Sequence, residues 1–176
     1  ITLFAGETFT QCPLTVDHAV LLDMIHNIKC GLITDGTAVG MGIANAVTRL
    51  KDSKAKSKVI ILLTDGTNNK GDISPMTAAE IAKSFGIRVY TIGVGTNGMA
   101  PYPYPVGNTV QYVSMPVEID EKTLTEIAGT TDGNYFRATS NSKLKEVYEE
   151  IDKLEKTKLN VKEYSKRDEE YHWFAL

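Results

Sequence analysis

Residues 59–66 read VIILLTDG, an uninterrupted aliphatic run that ends at a threonine, an aspartate and a glycine. A continuous apolar run of this kind is typical of a parallel strand that is buried on both faces of its sheet. In a doubly wound sheet, ligands collect outside the carboxyl ends of the strands, so Asp65 is a candidate ligand-binding residue. The alternative is that Asp65 and Gly66 simply form the turn after the strand.

Around this strand, short apolar runs alternate with stretches of helical period. Other strands are predicted at residues 2–5 and 89–94 and at Tyr135 and Phe136, with a short edge strand at 9–12. Apolar stripes predict helices whose faces cover the sheet. The stripes comprise Leu21, Met24, Ile25 and Ile28; Ile43, Ala46, Val47 and Leu50; Ala78, Ile81, Ala82 and Phe85; and Leu144, Val147, Tyr148, Ile151 and Leu154. The fold class predicted is therefore α/β, a doubly wound, mostly parallel sheet with helices on both faces.

Two helix starts carry clear signals. Ser74 is a predicted N-cap, with Pro75 at the first helical position and Gly86 just past the end of the same helix. Asp120 is the predicted N-cap of a shorter helix.

Length and charge limit the classes of function. The chain has 176 residues with 19 basic and 22 acidic side chains, a net charge of −3. This length fits one domain, and the charge balance does not provide the basic surface that a nucleic-acid partner requires.

We expect a domain over residues 1–160, with a hairpin insertion at about 97–117, and a charged, then aromatic tail over 161–176. The aromatic end fits either the approach to a membrane interface or an apolar C-terminal plug.

A second polar motif, TDGTAVG at residues 34–40, lies directly ahead of the helix that carries Ile43. Its simplest interpretation is a flexible loop in which Asp35 or Thr37 caps that helix.

Taken together, the order DGTAVG, amphipathic helix, apolar strand and TDG resembles the von Willebrand factor A family. In that family a metal-ion-dependent adhesion site draws ligands from three loops, and Thr37 and Asp65 match the second and third. The resemblance covers essentially the whole chain. Residues 6–15 (GETFTQCPLT), 90–96 (YTIGVGT) and 133–139 (GNYFRAT) look specifically like the Bat proteins of bacterial aerotolerance operons.

The chain departs from the family pattern in one respect, because the first metal-binding motif, DxSxS, does not occur in these 176 residues. The family's first strand and helix are expected upstream of Ile1. Magnesium requires a nearly octahedral shell of oxygens, so one hydroxyl and one carboxylate leave most of the shell to solvent. We expect binding of Mg²⁺, or of Mn²⁺ or Ca²⁺, to be weak or absent in this chain alone.

The resemblance implies a non-enzymatic, metal-dependent protein-binding module. It also implies other Bat proteins and a MoxR-type AAA+ ATPase as partners, anchoring to the inner membrane by segments outside this chain, and a periplasmic location.

Two alternatives stay open. Residues 93–98, GVGTNG, are a literal GxGxxG after a predicted strand, which could indicate a nucleotide-dependent enzyme of doubly wound fold. The prolines that follow argue against the helix such a site needs. A purely structural domain whose site has decayed is the lesser alternative.

Overall fold

The computed structural model describes residues 1–29, 31, 33–95, 98–106, 109–117 and 119–171. In chain order the elements are β1 (Thr2–Phe4), β2 (Thr8–Thr10), α1 (His18–His26), α2 (Val39–Leu50), β3 (Lys58–Thr64), α3 (Pro75–Ser84), β4 (Ile87–Val94), β5 (Gly98–Val106), β6 (Thr109–Val117), α4 (Glu121–Thr130), β7 (Tyr135–Ala138) and α5 (Asn141–Tyr171).

The central sheet is parallel and has the order β3-β4-β7. Lys58 pairs with Ile87 and Thr64 pairs with Gly93, so β3 and β4 end at the same edge of the sheet. Two antiparallel pairs, β1-β2 and β5-β6, stand apart from this sheet. The segment for which the sequence predicts a hairpin insertion contains β5 and β6, which pair from Gly98 and Val117 to Val106 and Thr109.

Helices pack on both faces of the parallel sheet. On one face, α2, α3 and α4 enclose a core that includes Ile43, Ile60, Val89 and Ile127. On the other face, α5 packs Val147 and Ile151 against Tyr90 and Ile92 of β4. The predicted α/β architecture is confirmed.

One predicted helix face is wrong, and a second is right only for its alanines Ala78 and Ala82. None of the residues of α1 is buried, and Ile25 is 45% exposed, so the first apolar stripe does not cover the sheet. In α3, Ile81 is exposed, as is Phe85 at the C-cap, and the buried residues are Ala78, Ala79 and Ala82. The small alanine side chains allow a closer approach than the larger ones of the predicted stripe, and this side of α3 faces the core shared with α2.

α2 also lies close to the segment before α3 at Gly40, where a β-carbon would lie 2.0 Å from the carbonyl oxygen of Ile73. Only glycine fits between α2 and the segment that leads into α3.

The predicted helix caps of α3 and α4 are confirmed. Ser74 Oγ accepts the N–H of Thr77 at 3.1 Å, and Gly86 follows α3 with a φ of +63°. Asp120 Oδ1 accepts the N–H of Thr123 at 3.0 Å.

The last helix, α5, continues through Tyr171, and residues 172–176 of the predicted aromatic tail lie outside the described residues. Within the described ranges, no helix combines the length and the apolar character that a membrane span requires.

A polar cluster fastens α5 to the sheet at Glu155. Its carboxylate accepts hydrogen bonds from Tyr90 Oη at 2.7 Å and Ser57 Oγ at 2.9 Å, and it forms an ion pair with Arg88. Burial alone would raise the pKa of the Glu155 carboxyl, but the hydrogen bonds from Tyr90, Arg88 and Ser57 outweigh it and lower the pKa below its usual value. Burial, followed by the interaction with Glu155, raises the pKa of Tyr90 to about 12.

Substitution of Gly40 by alanine is expected to destabilise the protein by about 1–3 kcal/mol, because the methyl group would force α2 away from Ile73. Gly129, in α4, is the matched control, since a β-carbon there meets nothing within 4 Å. Gly129→Ala is expected to stabilise by up to about 1 kcal/mol through helix propensity. Urea unfolding of both variants measures the difference, and equal effects would contradict the close approach at Gly40.

Glu155→Gln is expected to lower the free energy of unfolding at pH 7 by about 1.5–3 kcal/mol, because hydrogen bonds to a charged acceptor are lost. Since the folded-state pKa of Glu155 is lowered, its contribution is present above the unfolded value of about 4.3 and disappears as pH falls through the folded value. The gap between wild type and Glu155→Gln should therefore narrow below about pH 4.3 in urea titrations. Glu149→Gln, an exposed site on the same helix, is the control. A difference in unfolding free energy between wild type and Glu155→Gln that stays constant down to pH 3 would refute the role of the Glu155 carboxylate as a charged acceptor.

Candidate functional site

The carboxyl end of β3 is shaped by Thr64. Its side chain is buried, and Oγ1 accepts the N–H of Gly66 and donates to the Gly66 carbonyl, both at 3.2 Å. This turn leaves Asp65 exposed at the edge where the parallel strands end.

The loop of residues 34–38 is fastened to the loop after β3 by asparagine side chains. Asn69 Oδ1 accepts the N–H of Thr37 at 2.8 Å, and the Thr37 carbonyl accepts the N–H of Asn69 at 3.0 Å and that of Lys70 at 3.2 Å. Asn68 Oδ1 accepts the N–H of Val39 at 2.9 Å. We call this set of bonds the asparagine clasp.

The clasp also determines how α2 begins. The N-cap of α2 is Ala38, which makes no side-chain capping bond, and Asn68 supplies the acceptor from 29 residues further along the chain. The prediction that Asp35 or Thr37 caps this helix is wrong. Asp35 Oδ1 instead accepts the N–H of its neighbour Gly36 at 3.1 Å.

The two loops approach each other closely at their glycines. A β-carbon on Gly36, which has a φ of +135°, would lie 2.6 Å from Cγ of Lys70. A β-carbon on Gly66 would lie 3.4 Å from Oγ1 of Thr37. The structure therefore brings Thr37 against the residue that follows Asp65.

Both predicted ligands line one cleft. Thr37, which is half-buried, and Asp65, which is exposed, face a cavity of about 880 Å³ that separates β1 from β3. The clasp residues Asn68 and Asn69 had no signal in the sequence beyond a polar GTNN stretch after the strand, and asparagine is a favoured helix cap.

The Thr37 hydroxyl and the Asp65 carboxylate are the right type of ligand for a hard divalent cation, but two groups are too few to complete its shell. A hydroxyl and a carboxylate are oxygen ligands of the type that Mg²⁺ prefers, yet they fill only part of an octahedral shell. Among the residues that the structure describes, no group of three or more His, Cys, Asp or Glu side chains could hold a metal ion. A shared cation between Thr37 and Asp65 stays a prediction.

The described residues on either side of the glycine-rich segment 93–98 do not form the helix that a dinucleotide site requires. β4 ends at Val94, and the chain is again a strand, β5, from Gly98 onward. A pyrophosphate needs the N–H groups of a helix N-terminus after the glycines, and this strand cannot supply them. No observation of the site favours the nucleotide-dependent enzyme.

The chain spans about half the length of the curated relatives it matches. It is 30% identical over 166 residues to a UPF0353 protein of Nocardia farcinica, covering 85% of this chain and 48% of that protein. It is 24% identical over 163 residues to a protein of Borreliella burgdorferi, covering 92% of this chain and 48% of that protein.

Two solved bacterial structures are similar over most of the chain. BatB from Bacteroides thetaiotaomicron, a conserved hypothetical protein, is 34% identical with a TM-score of 0.73, covering 88% of this chain and 78% of that one. An aerotolerance-related membrane protein from Bacteroides fragilis is 30% identical with a TM-score of 0.69, covering 86% of this chain and 77% of that one.

A third similar structure contains a metal. Proximal thread matrix protein 1 from the mussel byssus, solved with zinc in its MIDAS motif, is 27% identical with a TM-score of 0.65. The match covers 87% of this chain and 33% of the mussel protein.

The model of the von Willebrand factor type A domain matches residues 1–150, most of the chain. The parallel sheet with helices on both faces is the fold of its similar structures. This chain therefore belongs to the von Willebrand factor type A domain family, and among solved structures it is similar to bacterial Bat proteins.

Proposed function

We propose that this domain is a non-enzymatic protein-binding module whose partner is recognised through a divalent cation held in part by Thr37 and Asp65. The observation that carries the proposal is the asparagine clasp, because it draws the Thr37 loop against the turn that presents Asp65. Both side chains offer oxygen, and both face the same cleft.

The bonding pattern favours a binding role over a purely structural one. The clasp uses the backbone of residues 37–39 and the side chains of Asn68 and Asn69, so α2 is capped without the hydroxyl of Thr37 or the carboxylate of Asp65. Both groups are thus left for an external ligand, and Asp65 is exposed to it.

A bound cation would supply positive charge and open coordination positions for a carboxylate of the partner protein. Thr37 and Asp65 would orient it, and such recognition needs neither a nucleophile nor a general base. The zinc-occupied site of the mussel protein, which shares this fold, supports metal binding in the same architecture.

We propose further that the domain acts at a membrane, in a complex with other Bat proteins and a MoxR-type AAA+ ATPase. The similar Bacteroides fragilis protein is named as an aerotolerance-related membrane protein, which supports the location. The periplasmic side and the partners come from the resemblance to Bat proteins.

Magnesium alone is expected to bind these 176 residues weakly, with no thermal stabilisation below about 1 mM, because two protein oxygens leave most of the shell to water. Calorimetric titration and thermal unfolding at increasing Mg²⁺ concentration measure this. Affinity in the micromolar range would show that the described residues form a complete site.

Asp65→Ala is expected to abolish the magnesium-dependent part of partner capture. The tagged full-length protein is recovered from solubilised native membranes in magnesium and then in chelator, and co-purifying proteins are quantified by mass spectrometry. For wild type, the amount of co-purifying partner should fall at least tenfold in chelator. For Asp65→Ala, the amount should equal this chelator level in both buffers.

Asp72→Ala is the matched control, since it removes the same charge from an exposed position in the same loop. It should behave as wild type. Partner recovery that is independent of magnesium, or that survives Asp65→Ala, would reject the proposed function.

A further inference from the structure

The β5-β6 hairpin has a different backbone chemistry along each of its two long edges. Proline has no N–H, so in a sheet it occupies positions whose backbone points away from the neighbouring strand. Every second residue of β5 over 101–105 is a proline, and the two tyrosines between them therefore bond to β6. These prolines are Pro101, Pro103 and Pro105, which lie opposite Ser114, Tyr112 and Val110 of β6. The outer edge of β5 thus has no N–H donor over this stretch.

The outer edge of β6 keeps its N–H donors. Residues directly opposite each other in an antiparallel ladder point their backbone groups either toward each other or both away. Val110, Tyr112 and Ser114 lie opposite the prolines, so their N–H and C=O groups point away from β5. Among the described strands, β6 pairs with β5 alone. A further strand can therefore pair along β6, whereas β5 offers it only acceptors.

The β6 edge also lacks the usual protection of an exposed strand. Proteins commonly block such edges with charged side chains or prolines. Residues 97–117 contain no Asp, Glu, Lys or Arg, although these make up 23% of the chain. Tyr112 and Val113 point to opposite faces of the hairpin and are 72% and 46% exposed. A two-stranded hairpin is at most marginally stable by itself, and additional strands would stabilise it.

The absence of charge favours a second copy of this chain as the added strand. A partner of different sequence is commonly selected by complementary charge, which this hairpin does not offer. When two copies of one strand pair antiparallel, like charges near the axis would face each other and destabilise the pair. An uncharged strand avoids this repulsion. Because only one edge of the hairpin has donors, two copies close into a pair and do not extend into a fibre.

The donors of β6 also determine the register of such a pair. All of them are used when Val110 lies opposite Ser114 of the second copy and Tyr112 lies opposite its own equivalent. A shift in one direction would place Val110 opposite Pro116, which has no N–H. A shift in the other direction would place Ser114 opposite residue 108, before β6 begins.

We propose that two copies of this chain dimerise through their β6 strands, which pair antiparallel about a twofold axis at Tyr112. The two hairpins then form one sheet with the order β5-β6-β6-β5. Each opposed pair of outward residues exchanges two hydrogen bonds, and the two Tyr112 side chains lie beside each other on one face. The dimer uses neither Thr37 nor Asp65, so it is independent of the proposed function.

A disulfide on the axis tests the pairing and its register. Directly opposite residues of this type have Cα atoms about 5.5 Å apart, a distance that a disulfide spans. Mild oxidation of purified full-length Tyr112→Cys protein should give a covalent dimer, with the 112–112 bond identified by mass spectrometry. Gln111→Cys, also exposed, is the control, because its two copies would be offset by two residues and lie about 8 Å apart. It should give at least tenfold less dimer.

Two further substitutions separate the backbone of Tyr112 from its ring. Tyr112→Ala and Tyr112→Pro both remove the ring, but only proline also removes the outward N–H. The dissociation constant of the dimer, measured by analytical ultracentrifugation of the full-length protein, should be at least tenfold higher for Tyr112→Pro than for Tyr112→Ala. Hydrogen exchange of the Tyr102 and Tyr104 amides, which bond to β6, should be equal in the two variants.

Several results would overturn the proposal. A protein that stays monomeric at every concentration, or equal crosslinking at positions 111 and 112, would reject the pairing. Equal dissociation constants for Tyr112→Ala and Tyr112→Pro would show that the β6 backbone does not hold the dimer together. Protection of the Tyr112 amide in a monomer would assign the β6 edge to another part of the same chain.

Discussion

The parallel pairing of β3 with β4 is the constraint on which the candidate site of this domain depends. Buried backbone groups must find partners, and β3 pairs with β4 in register along all of its residues. The register that joins Thr64 to Gly93 puts Asp65 at the common end of the strands. The loop that carries Thr37 lies at the same end and lines one cleft with Asp65.

The exposure of side chains along the sheet follows from the position of α5. α5 covers β4 and β7 but leaves part of β3 open, so side chains in one sheet differ in burial from zero at Ile92 to 36% at Ile61. None of the apolar residues of α1 is buried, and its Ile25 lines the cleft.

Elements with strong local signals could be predicted from the sequence. The aliphatic run 59–63 lies within β3, and the Ser74, Pro75 and Gly86 signals bound α3, because capping and strand preference act over a few residues. The family was recognisable from the order of two polar motifs around α2 and β3. The ligand role of Thr37 and Asp65 stays a prediction.

The remaining features depend on contacts between distant residues. Helical period identified the apolar side of α1 and α3, but it does not show which other element packs against that side. Ile25, Ile81 and Phe85 were therefore wrongly expected in the core. The cap of α2 comes from Asn68, 29 positions beyond the helix start, whereas local pattern pointed to Asp35 and Thr37. The close approach at Gly40 is likewise invisible until the Ile73 backbone is placed against it.

The length of α5 has a mechanical consequence. It has 31 residues, about 46 Å of continuous helix, and Glu155 fastens it to the sheet near its midpoint. A force applied at the Tyr171 end is transmitted along the helix, so it loads the bond from Lys158 to the Asp132 carbonyl and then the ion pair of Glu155 with Arg88 before it reaches the loops around Asp65.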